Sequence, residues 1–70
     1  MVDRTVLVDA RGLRCPWPVL RLARALRDGA RVVELLSDDP AASGEIAAFA
    51  AERGLALVAQ ETRFVVGPAG

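Results

Sequence analysis

The chain of 70 residues contains no histidine, no lysine and no tyrosine, and it has a single cysteine, Cys15, and a single tryptophan, Trp17. With no histidine and one thiol the usual zinc ligand sets are out of reach, so neither a metal site nor a resident cofactor is expected. One thiol cannot close an internal disulfide, and the resolving cysteine that a C-x-x-C oxidoreductase needs is missing. The lack of both histidine and lysine removes the common internal bases. That counts against a stand-alone thiol transferase acting on a small molecule. All nine basic residues are arginine and they balance nine acidic ones to a formal net charge of zero. Such a balance argues against a protein held on nucleic acid by phosphate neutralisation. There is also no G-x-x-G clamp and no aromatic series on a strand, so no direct nucleic-acid partner is expected. Asp3 and Arg4 follow Met1 closely and no long apolar segment exists. Neither a signal peptide nor a membrane-inserted helix is expected, and a lone reactive thiol suits a reducing compartment, so the expected location is cytoplasmic.

Hydrophobic residues make up 53% of the chain. Many are alanine, so the core must rest on valine, leucine, Ile46, Phe49 and Phe64. One small domain over residues 1–70 is all that this length supports. Residues 5–8 form a β-branched run ending at Asp9, a strand with Val6 and Val8 on one side. From 16 to 27, Val19, Leu22, Ala23 and Leu26 recur at helical spacing, and Gly29 follows as a stop signal. Trp17 falls opposite that stripe, beside Arg21 and Arg24, and should be partly exposed.

Residues 31–37 read as a second strand whose other face is mixed, as in a sheet covered on one side only. Asp39 as N-cap and Pro40 at N1 open a second helix running to about Arg53, with Ala42, Ile46, Phe49 and Ala50 as its buried stripe. Residues 55–60 and 63–66 read as a hairpin around Glu61 and Thr62, and 67–70 as a frayed tail. The order is βαβαββ. The expected fold is α+β, a two-layer sandwich in which a four-stranded mixed sheet carries both helices on one face, with β1 and β2 parallel across a helical crossover.

The chemistry-bearing stretch is Arg11-Gly12-Leu13-Arg14-Cys15-Pro16-Trp17-Pro18. Gly12 permits a sharp turn, Leu13 anchors the loop, and Pro16 and Pro18 suit the first turn of a helix. If Cys15 is the N-cap, the Trp17 N–H is the one free donor of that turn and points back at the sulfur. Together with the helix dipole it should lower the thiol pKa below the free value of about 8.5. Arg11 and Arg14 flank the thiol and either stabilise an anion there or are simply solvated. Arg21 and Arg24, with Arg27, are either a solvated face or a docking surface for an acidic partner. The Trp17 ring is either surface or a partner anchor.

The run from Asp9 to Pro18, followed by Asp38-Asp39-Pro40, resembles the D-x-x-G-L-x-C-P-x-P signature of the TusA/SirA-like sulfur-carrier family. The resemblance implies a sandwich like the C-terminal domain of translation initiation factor 3. It also implies that Cys15 accepts sulfane sulfur as a persulfide from a cysteine desulfurase or rhodanese-like donor and relays it to an acceptor protein. The family's pathways are tRNA 2-thiolation, molybdenum-cofactor synthesis and sulfur oxidation. The expected protein is a monomeric carrier rather than a turnover enzyme. Trp17 and a hairpin without a basic end differ from the tRNA-thiolation members, which keeps in view the members that partner a membrane thiosulfate or sulfur transporter. A non-catalytic regulatory or RNA-binding module is the alternative of a different class.

Overall fold

The computed structural model describes residues 4–69. In it the chain runs β1 (Thr5–Asp9), α1 (Trp17–Arg27), β2 (Val32–Leu36), α2 (Ala42–Glu52), β3 (Leu55–Gln60) and β4 (Arg63–Pro68). The strands form one sheet in the order β1-β2-β4-β3. β1 and β2 are parallel, as a helical crossover demands, and β4 runs antiparallel to both of its neighbours. The expected α+β sandwich with its βαβαββ order is therefore present. β1 and β3 are the sheet edges, and β4, last in sequence, is central.

Pairing register explains which side chains are covered. Val6, Val33, Val66 and Leu57 lie in one row across the sheet, and Val8, Leu35, Phe64 and Ala59 in the next. Side chains of alternate residues share a face, so both rows point the same way. Val33, Leu35, Phe64 and Val66 are buried there against Leu22 of α1 and Ile46 and Phe49 of α2, with Val6, Val8 and Leu57 packed at the margin. The opposite face stays open. Leu7 and Val58 are exposed on it, and Glu34 of β2 is ion-paired with Arg63 of β4.

The two helices bury different kinds of surface. α1 has a polar face carrying Arg21, Arg24 and Arg27 and a buried face led by Pro18 and Leu22. It ends in a left-handed Gly29 (φ 106°), a conformation that costs an L side chain about 1 kcal/mol or more. α2 is alanine-rich and buries Ala42, Ile46, Phe49 and Ala50, the stripe its sequence spacing predicts. Small side chains let it lie close to the sheet. Arg53, just past its end, stacks over the Phe49 ring at 4.0 Å from the centroid.

The C-terminal boundary differs from expectation, whereas the hairpin turn falls where it was expected. Gly67 and Pro68, read as tail, belong to β4 and pair with Ala56 and Leu55 of β3. Because β4 is a central strand its end is held by partners, which composition alone cannot reveal; Gly70 lies outside the described residues. The hairpin turn Glu61-Thr62 closes with Glu61 in the left-handed region (φ 51°). A glutamate tolerates it there at a cost that asparagine or glycine would avoid.

Candidate functional site

β1 ends at Asp9, and from there the chain must turn toward the start of α1. Asp9 organises that turn. Its Oδ1 accepts from the Arg11 backbone N–H at 3.1 Å and from Arg11 Nε at 2.9 Å, and its Oδ2 accepts from the second guanidinium nitrogen at 2.8 Å. These bonds hold the Asp9 carboxyl down to about 2. Ala10 is fully buried and its carbonyl accepts from Leu13 N–H at 3.1 Å, while the Leu13 side chain packs on the core margin. Gly12 at the tip has φ 85°, which is why a glycine stands there.

The following turn sets the position of the thiol. The Trp17 N–H donates to the Arg14 carbonyl at 2.8 Å, and the Pro16 carbonyl accepts the first helical bond from Leu20 N–H at 3.0 Å. Pro16 is therefore the N-cap, with φ −95°, and Trp17 is the first helical residue. The Cys15–Pro16 peptide bond is cis. Cys15 sits ahead of the helix rather than capping it. The expected Trp17 N–H to sulfur contact does not form, because the turn carbonyl of Arg14 takes that donor first.

What holds Cys15 comes from elsewhere in the chain. Asp38 Oδ1 accepts from Gly12 N–H at 3.0 Å, and Asp39 Oδ2 accepts from Cys15 N–H at 2.6 Å, across 26 and 24 positions of sequence. Asp39 Oδ1 also accepts from Ala41 N–H at 3.1 Å, and its own N–H faces Ser37 Oγ at 3.4 Å. Ser37 is buried, and its N–H donates to the Thr62 carbonyl at 2.9 Å. Asp39 is thus not simply the N-cap of α2, a position taken by Ala41 without a side-chain bond. It gives one oxygen to its own helix start and the other to the backbone of Cys15. Its two backbone donors lower its pKa, that of Ala41 foremost, and so keep the clamp charged.

The thiol is exposed and free, but its electrostatic setting reverses the sequence-based expectation. Partial loss of hydration raises its pKa first, then a hydrogen bond to the Glu45 carboxylate, then the charges of Glu45 and Asp39. Acidic groups favour the neutral thiol, so Cys15 lies above rather than below an ordinary cysteine. Arg11 does not offset this, being bound to Asp9. Arg14 is exposed and acts on Asp39.

The remaining residues singled out in the sequence part company. Pro18 is buried in the first turn of α1, whereas Trp17 is 58% exposed. Trp17, Arg21 and Arg24 line a groove of about 670 Å³ between α1 and the β1 edge. Sequence reading missed Glu45 and the clamp made by Asp38 and Asp39. The one hint of the clamp was a surplus: two successive aspartates before Pro40, where capping requires one acceptor.

Known proteins resemble this chain along most of its length. The sequence model of the family described as "Sulfurtransferase TusA" matches residues 6–66. A protein of Archaeoglobus fulgidus named "Putative sulfur carrier protein" is 39% identical over an aligned length of 67, with 84% of this chain and 87% of the relative covered.

Proposed function

The chain belongs to the TusA sulfurtransferase family, and from that premise we propose that it is a sulfur carrier whose load is a persulfide on Cys15. The observation that carries the reading is a solvent-exposed single thiol whose own backbone N–H is held by Asp39 from a second loop. The exchange is a displacement at sulfur. Cys15 thiolate attacks the terminal sulfur of a donor persulfide; the Cys15 Sγ–S bond forms, the donor S–S bond breaks, and the donor leaves as a thiolate. Electrons balance without an outside oxidant. Repeating the step with an acceptor thiolate unloads the carrier. The proton that Cys15 gives up on attack is matched by the one the departing donor thiolate takes up, so the exchange needs no net internal base, which fits a chain with neither histidine nor lysine.

The partners are a cysteine desulfurase or rhodanese-like donor and a downstream acceptor protein. The carrier works as a monomer in the cytoplasm. Among the described residues no helix is long and apolar enough to cross a membrane.

The test is loading. The protein is incubated with a cysteine desulfurase and cysteine, or with a rhodanese and thiosulfate, and its intact mass is measured. A gain of one sulfur atom that disappears in Cys15→Ser is expected. No gain with either donor would return the chain to the class of non-catalytic binding modules.

A further inference from the structure

β1 is a sheet edge, and its free side can be read from its ladder. The Arg4 carbonyl accepts from Val32 N–H at 3.0 Å and the Ala10 N–H donates to the Leu36 carbonyl at 2.7 Å. Even-numbered residues thus face β2. In a parallel ladder the odd ones, Thr5, Leu7 and Asp9, must then turn their N–H and C=O groups outward. Among the described residues β1 pairs with β2 alone. An open edge of this kind is a template for another strand.

Beside that edge lies the groove of about 670 Å³, with Val6, Val8 and Ala25 among its apolar lining and Arg4, Arg21 and Trp17 among the polar and aromatic groups. Its charge is lopsided. Asp9 is already matched by Arg11, and Asp28 lies 3.9 Å from Arg24 in a weak surface pair. Arg4 and Arg21 have no ion-pair partner among the described residues, so the groove carries uncompensated positive charge against a largely neutral protein. The exposed Trp17 ring and the exposed Leu7 add apolar anchors.

We propose that this groove is a docking site for an extended acidic segment of a partner protein, which adds to β1 as a fifth strand and sets its carboxylates against Arg4 and Arg21. Backbone pairing at Thr5, Leu7 and Asp9 supplies affinity, and the arginines with Trp17 supply selectivity. Trp17 is two residues beyond Cys15, so a partner anchored here reaches the thiol from the α1 side. That link to sulfur exchange rests on the carrier reading, whereas the docking itself does not. A second copy of the chain fits less well, because a symmetric pairing of two β1 edges would bring two uncompensated arginine clusters onto one interface.

The experiment uses the full chain, no sulfur donor, and an acetylated, amidated heptapeptide alternating glutamate with valine. Binding is followed by the fluorescence of the single tryptophan and by amide hydrogen exchange. The expected result is a saturable fluorescence change that weakens with added salt, slowed exchange at Leu7 and Asp9, and at least about tenfold weaker binding of the lysine–valine counterpart. Arg21→Glu, on the exposed side of α1, should weaken the acidic peptide by about tenfold or more. Leu7→Pro removes an outward N–H that the β1–β2 ladder does not use, so it should weaken binding while the far-UV circular dichroism stays that of the parent. The proposal is overturned by any of four results: no saturable change, equal binding of the lysine peptide, unaltered exchange at Leu7, or an oligonucleotide that displaces the peptide at lower concentration. A stable dimer that sedimentation detects and the peptide fails to dissociate would also overturn it, by assigning the edge to a second copy.

Discussion

The two helix starts of this protein are built from similar words and do different work. The chain enters α1 through Cys15-Pro16-Trp17-Pro18 and approaches α2, which begins at Ala42, through Asp38-Asp39-Pro40. The first has no acidic residue in its opening turn and closes on itself, with the Trp17 N–H on the Arg14 carbonyl. The second reaches outward, spending Asp38 on Gly12 and half of Asp39 on Cys15. The helix start without the thiol therefore positions the thiol. It also makes the thiol's surroundings acidic on the α2 side, while the α1 side carries Arg21 and Arg24 around the groove. Cys15 therefore has acidic groups on one flank and arginines on the other; under the proposed carrier function, such a split would fix a partner's orientation more than its affinity.

Breaking the link between the two starts should have the largest effect. Asp39→Ala leaves the Cys15 N–H without its acceptor and releases the loop. Sulfur loading of Cys15, measured as initial rate by intact mass, is expected to fall on the order of tenfold to a hundredfold with the sheet and helices intact. If loading is unchanged, the clamp is not what positions the thiol.

Glu45→Gln tests the acidic flank. It removes a charge and weakens the hydrogen bond that favours the protonated thiol, so the pKa of Cys15 should fall toward its ordinary value. Alkylation of Cys15 across a pH series should then reach its midpoint at lower pH than in the parent, and at neutral pH the variant should react faster. A midpoint that does not move, or moves upward, would remove Glu45 from the site.

Gly12→Ala separates strain from contact. A Cβ at that position meets nothing within 4 Å, so the cost is that of φ 85° alone, about 1 kcal/mol in urea unfolding. A much larger loss would mean that the loop packs more tightly than its open surroundings imply. The smallest effect is at Asp9. Its carboxyl titrates at about 2 instead of 3.8, so the stabilisation from the Asp9–Arg11 pair is complete above the unfolded value and is lost as pH falls through about 2. Carboxyl NMR titration should place Asp9 near 2 in the parent and return it toward 3.9 in Arg11→Ala.

How far the sequence could be read follows from the range of each interaction. The helix bodies were legible because side chains three and four apart share a face whatever the rest of the chain does. Leu22, Ile46 and Phe49 are buried where that spacing puts them. The strand alternation was equally local. At the helix starts the same local logic misplaced the Trp17 N–H and reversed the direction of the Cys15 pKa. A donor in a turn goes to the nearest acceptor, here a backbone carbonyl three residues back, and a pKa responds to charges near in space.

The sequence by itself determined the elements, their order, the buried stripes and the identity of the thiol, since each depends on periodicity or on a residue being unique. The tertiary structure alone decided that Asp38 and Asp39 close over Gly12 and Cys15, that Glu45 faces the sulfur, and that Trp17 and two arginines border a free strand edge. Those facts depend on β1 and β2 lying side by side in parallel, so that the loops leaving their C-terminal ends meet. Only the paired sheet brings residues 24 positions apart within 2.6 Å.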